Sequence, residues 1–190
     1  MRHWVGVLLA ICLSSCGDAT REPVSAPAPD ESLFEAKTPD APPALPEPVI
    51  ETRDALLEIS QAGSIRRLAR RADEEPAFLS NFGGADHYSH WDLMRRTGWD
   101  TNLHLISLFD QPYGVRRVGH EVWYIWPDLA ARDAADLAPG RISYRDTARL
   151  RGLIGEEGLR EIAAGRAYPG ERTAISETGS WRYFLHEPVD

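Results

Sequence analysis

The chain has 190 residues, 43% of them hydrophobic, with 29 acidic against 21 basic side chains and a net charge of −8. That length holds one domain plus shorter segments, and an acidic balance without a concentrated basic surface argues against a nucleic-acid partner. All the basic residues except Lys37 are arginines, which points to coding bias before it points to anion recognition.

Arg2 is followed by an apolar run from Trp4 to Leu13. As a helix this run spans roughly 15 Å, about half the hydrocarbon thickness of a bilayer, so it is too short to be a transmembrane anchor. It fits the apolar region of a secretory signal. Its end, Leu13-Ser14-Ser15-Cys16, resembles the lipobox of bacterial lipoproteins. The resemblance implies that residues 1–15 are a signal peptide, removed before Cys16, and that the Cys16 thiol carries the diacylglycerol, with palmitate among the acyl chains. Several acyl chains anchor a protein firmly where one does not. Cys12 leaves with the signal, so no thiol remains for a disulfide, a metal site or a nucleophile. Gly17 follows the cysteine and Asp18 stands one place later. In that family this implies a lipid anchor on the periplasmic face of the outer membrane.

Residues 16–50 form the next segment, which holds eight of the 14 prolines and shows no apolar periodicity. Such a segment buries too little surface to offset chain entropy and is expected to be a disordered, partly extended tether. A globular domain is expected over 51–190. Ala55, Leu56, Ile59 and Ala62 recur at helical spacing. Ser64 can cap a second helix, with Ile65, Leu68, Ala69 and Ala72 on one stripe and four arginines opposite. Asp86 is a reasonable cap for a helix from His87 to Thr97, and another short helix runs from Asp100 to Phe109. "GVRRVGHEVWYIWP" reads as a hairpin, Val115 to Val118 and Glu121 to Trp126, turning at Gly119-His120. Alanine-rich and Ser143-capped helical stretches follow. A second hairpin turns at Glu177-Thr178-Gly179, with Trp181, Tyr183 and Leu185 expected on one face of its last strand. Helices, hairpin, helices, hairpin is the order of a small α+β domain with an antiparallel sheet.

Candidate chemistry is sparse. On a helix, His87 and His90 share a face, with Asp86 beside them through the cap, and such a set can hold zinc for a metal-assisted hydrolase. No H-E-x-x-H pattern accompanies them. Ser80 in "LSNFGG" stands before a loop and not in a strand-to-helix elbow, so it is given no nucleophilic role. Nothing calls for a cofactor. "EVWYIW" is apolar on both faces, as a strand sandwiched between layers or one presenting aromatics to a ligand. Trp123, Trp126 and Trp181 are the candidate binding residues, since exposed tryptophan stacks on sugar rings and anchors interfaces. The expected function is therefore a non-catalytic, membrane-tethered binding domain of the cell envelope, contacting an envelope protein or peptidoglycan. The alternative is the metal-assisted hydrolase.

Overall fold

Helix α1 (Glu47–Gln61) begins four residues before Glu51, because Pro46 precedes it and Pro48 sits in its first turn, where a missing N–H costs nothing. It buries Val49, Leu56 and Ile59, and Tyr113 donates from its hydroxyl to the Pro43 carbonyl at 2.7 Å. The folded part thus starts upstream of residue 51. The computed structural model of the protein describes residues 42–81 and 86–186, all within a unit that spans Asp40–Asp190. Cys16, the lipobox and the tether up to residue 41 lie outside the described residues.

Helix α2 (Ile65–Asp73) starts where the Ser64 hydroxyl accepts the Arg67 N–H, and its stripe of Ile65, Leu68, Ala69 and Ala72 is buried as the spacing predicts. Its outer arginines find local partners. Arg71 pairs with Glu75 at 2.7 Å, and the Arg66 guanidinium lies 4.4 Å from the centre of the Tyr88 ring. Strand β1 (Leu79–Ser80), which the sequence does not reveal, comes next. Helices α3 (His87–Arg96) and α4 (Thr101–Phe109) follow, capped by Asp86 and Asp100. Strands β2 (Gly114–Val118) and β3 (Glu121–Trp126) make the first hairpin. A 3₁₀ turn (Asp128–Ala131), helix α5 (Ala134–Leu137) and helix α6 (Tyr144–Ala163) lead to the second hairpin, β4 (Arg172–Ser176) and β5 (Trp181–Leu185). Within α6, Gly155 breaks the helix at φ 65° and ψ −173°, a region open to glycine alone.

The five strands lie in the order β1-β5-β4-β3-β2. All neighbours are antiparallel except β1 and β5, which run parallel with Leu79 opposite Tyr183 and Ser80 opposite Phe184. The sheet is therefore mixed and not wholly antiparallel: the link between α2 and α3 runs along the free edge of β5 in its direction and pairs with it. The α+β class stands.

Both faces of the sheet are covered, which explains why "EVWYIW" is apolar on both sides. Tyr124, Trp126, Ile175 and Phe184 pack under α1 to α4. Ile125, Ala174, Tyr183 and Leu185 pack against Leu129, Leu137, Leu150 and Ile162 from the 3₁₀ turn, α5 and α6. Close packing there explains Gly114, where a Cβ would lie 2.6 Å from the Ala131 Cβ and 2.8 Å from the Asp128 carbonyl oxygen.

One expectation about β5 is overturned. Ala174 stands opposite Tyr183 and Ile175 opposite Trp181, so Arg182 is the extra residue of a β-bulge. The bulge turns Trp181 to the face of Phe184, away from Tyr183 and Leu185. There its indole N–H donates to the Thr173 hydroxyl at 2.8 Å, and that hydroxyl donates to the Tyr183 carbonyl at 2.8 Å.

Candidate functional site

The three candidate tryptophans do not form a patch. Trp126 is 1% exposed and Trp181 is fully buried, so both belong to the core beneath α1 to α4 and neither can meet a ligand. Trp123 alone reaches the surface, on the opposite face of the sheet. Its indole N–H donates to the Glu121 carboxylate at 2.9 Å, and Glu121 also pairs with Arg182, whose guanidinium lies over the Trp123 ring. The ring is thus held in place from its edge and its face.

Trp123 lines a cleft of about 460 Å³ where α6 leaves the sheet uncovered toward β2. Four arginines line this cleft: Arg132 after the 3₁₀ turn, Arg172 from β4, and Arg116 and Arg117 from β2, of which Arg116 stands on the Trp123 face and Arg117 alternates to the other. Tyr168 and Tyr183 add to its polar lining, and among the described residues no acid lines it. Arg116 is paired with Asp133 at 2.8 Å, and Arg132 with Asp146 at 3.1 Å. Among the described residues Arg117 and Arg172 have no carboxylate partner. Arg172 donates only to the Gly170 carbonyl, at 2.8 Å. Burial pulls its pKa below the ordinary arginine value, with the Tyr183 and Tyr168 phenols nearby opposing the shift. Burial also pushes the Tyr183 phenol up to about 12 and raises Tyr168, so both keep their protons and remain donors. A partly buried guanidinium without a counter-charge is costly, and an arriving anion relieves that cost.

The proposed metal set does not converge. His87 is buried, with Nδ1 at 2.5 Å from the Asp73 carboxylate and Nε2 at 3.0 Å from the Ser80 hydroxyl, so both ring nitrogens are already engaged. Asp86 is exposed and spends its carboxylate on the cap, accepting from the Ser89 N–H and hydroxyl at 3.1 and 2.6 Å. These hydrogen bonds hold the Asp86 carboxyl below its usual range. His90 is half-buried, and burial lowers its pKa. No group of three or more potential ligands is gathered among the described residues. These engagements leave Asp86, His87 and His90 without a shared metal-binding geometry.

A second cleft, of about 410 Å³, lies between α4, α6 and the segment before β4, and Glu157, Glu161, Glu171 and His186 line it. Glu171 is already shared between the Trp99 indole at 3.1 Å and His104 Nδ1 at 2.7 Å, with Trp99 stacked on His104. That arrangement ties β4 to α4 and leaves Glu171 little capacity for a ligand.

Sequence reasoning misses Arg116, Arg132 and Arg172, which meet only through tertiary structure; it also misses Asp73 and sets Ser80 aside, because their partner His87 reads as a metal ligand from its spacing alone. Comparison of the chain with family models, with curated proteins and with solved structures finds no match.

Proposed function

We propose that the chain is a lipid-anchored envelope protein, held through Cys16 at the periplasmic face of the outer membrane, that acts by binding. Its ligand is an anionic cell-wall glycopeptide, with peptidoglycan the leading case, taken into the cleft at Trp123. One observation carries this reading: a cleft lined by four arginines and a fixed indole, with no acid among the described lining residues, on a chain of net charge −8. Arginine binds carboxylates through paired hydrogen bonds, and an indole face packs on sugar rings. Cell-wall peptides carry several carboxylates beside such sugars. Among the described residues no helix is long and apolar enough to cross a membrane.

The test is co-sedimentation of the mature protein with purified peptidoglycan sacculi. Wild type pellets with the sacculi, and less so in high salt, because exposed charge pairs are screened. Arg172→Gln and Trp123→Ala each weaken binding by about tenfold or more, the equivalent of one charge-assisted contact of about 1.5–3 kcal/mol. Wild type remaining in the supernatant, or both folded variants pelleting as well as wild type, overturns the reading. Membrane fractionation of Cys16→Ala tests the anchor separately: release into the periplasm supports it, and retention refutes it.

A further inference from the structure

Asp73, His87 and Ser80 are brought together by three element ends. Asp73 is the last residue of α2, Ser80 the last of β1, and His87 the first of α3. The Asp73 carboxylate can only accept, so at its 2.5 Å contact His87 Nδ1 must carry the proton. The lone pair of Nε2 is then directed at the Ser80 hydroxyl, 3.0 Å away, which is the tautomer a general base requires.

The surroundings fix this geometry. The imidazole is 6% exposed and sits between Phe78, with ring centres 5.3 Å apart, and Trp91, at 5.2 Å. Ser80 is held by the pairing of β1 with β5, and the next residue, Asn81, accepts the His186 N–H through its side chain at 2.8 Å. A cavity of about 240 Å³ opens on the His87 side of the pair, lined by Ala72, Asp73, Glu75, Pro76, Phe78 and His87, with Ser80 reached through its contact with His87 Nε2. Its size suits a short acyl group, Ala72, Pro76 and Phe78 give it an apolar side, and its two acids disfavour a negatively charged substrate.

We propose that Ser80, His87 and Asp73 form a nucleophilic centre that hydrolyses short, uncharged esters. Ser80 Oγ bonds to the ester carbonyl carbon while its proton passes to His87 Nε2, and Asp73, as a positioning residue, holds the imidazolium. The tetrahedral adduct collapses with cleavage of the bond to the alkoxy oxygen, which leaves as the alcohol with the proton from Nε2. Water then attacks the acyl-serine and gives a proton to Nε2. The bond to Oγ breaks, Oγ recovers that proton, and the carboxylic acid departs. Ester and water are consumed, and acid and alcohol are formed, with no other reactant.

This centre lies on the α1 to α4 side of the sheet and the Trp123 cleft on the α6 side, so either proposal can fail without the other. The test is incubation of the full mature chain with a fluorophosphonate, read by intact mass and peptide mapping, together with hydrolysis of p-nitrophenyl acetate. One adduct on Ser80 is expected, absent in Ser80→Ala. Esterase turnover falls by about 10²- to 10⁴-fold in His87→Gln, the usual span for loss of a general base. Asp73→Asn lowers labelling, and Asp73→Glu restores part of it, a rescue that a purely structural role would not give. Ser80→Cys supplies a readout independent of turnover: with His87 as its base the introduced thiol is alkylated by iodoacetamide faster than free cysteine. Absence of an adduct on Ser80 in folded wild type, or a thiol in Ser80→Cys that reacts no faster than free cysteine, overturns the proposal.

Discussion

Replacing Thr173 by valine tests the bulge and the buried contact it creates. Thr173 and Trp181 are both fully buried, and one hydroxyl serves two partners, accepting from the Trp181 indole N–H and donating to the Tyr183 carbonyl, each at 2.8 Å. Valine keeps the shape, so packing changes little. The indole N–H is then left without a partner in a place water does not reach, at a cost of about 1–3 kcal/mol, and the lost bond to the carbonyl adds about 1 kcal/mol. The sum, about 2–4 kcal/mol, is a large fraction of the stability of a domain. With a urea slope of about 2 kcal/mol per molar, the unfolding midpoint falls by about 1–2 M. A double-mutant cycle isolates the cause. In a Trp181→Phe background there is no indole N–H to strand, so Thr173→Val costs about 1–3 kcal/mol less. A midpoint shift worth under about 0.5 kcal/mol, or the same cost in both backgrounds, would refute the reasoning.

Gly155→Ala meets no steric obstacle, yet it forces a side chain onto φ 65° and ψ −173° inside α6. A loss of about 1–3 kcal/mol in urea unfolding is expected, with sheet packing unchanged by near-ultraviolet dichroism. Burial, helped by His186 and His87 nearby, keeps the His90 pKa below its ordinary 6.5. The unfolded chain therefore binds a proton at His90 that the folded chain does not, so this residue's contribution makes stability fall as pH drops below 6.5 and leaves it flat above. Unfolding midpoints measured across that interval are expected to depend less on pH in His90→Asn than in wild type.

Local signals in the sequence lead to the right elements where the physics is local. Ser64, Asp86 and Ser143 cap helices through their own side chains, and each accepts the backbone N–H expected of it. The first hairpin and its alternation are also legible, because Tyr124 and Trp126 truly oppose Trp123 and Ile125. Strand β1 is not legible: two residues hold no periodicity, and their partners Tyr183 and Phe184 lie about a hundred positions away. The bulge at Arg182 is not legible either. A period of two, read backwards from Leu185, assigns Trp181 to the wrong face, and nothing in the residues flags the slip. Both failures bear on function. Missing β1 hides the contact of Ser80 with His87, and treating the tryptophans as a surface set puts two core residues in a binding patch. The arginines of the cleft are visible as residues but not as neighbours, because β2, the 3₁₀ turn and β4 bring them from three distant stretches.

The same arginines have a consequence for self-association. An open sheet has two unpaired margins, and a long apolar margin is a template on which another copy can add a strand. Here one margin is β1, only two residues long. The other is β2, where Arg116 and Arg117 are exposed, one on each face of the strand, and place charge along the margin on which another copy would have to dock. Charge on an edge strand opposes such pairing, so the strand that furnishes the cleft also guards the sheet against adding strands from other copies.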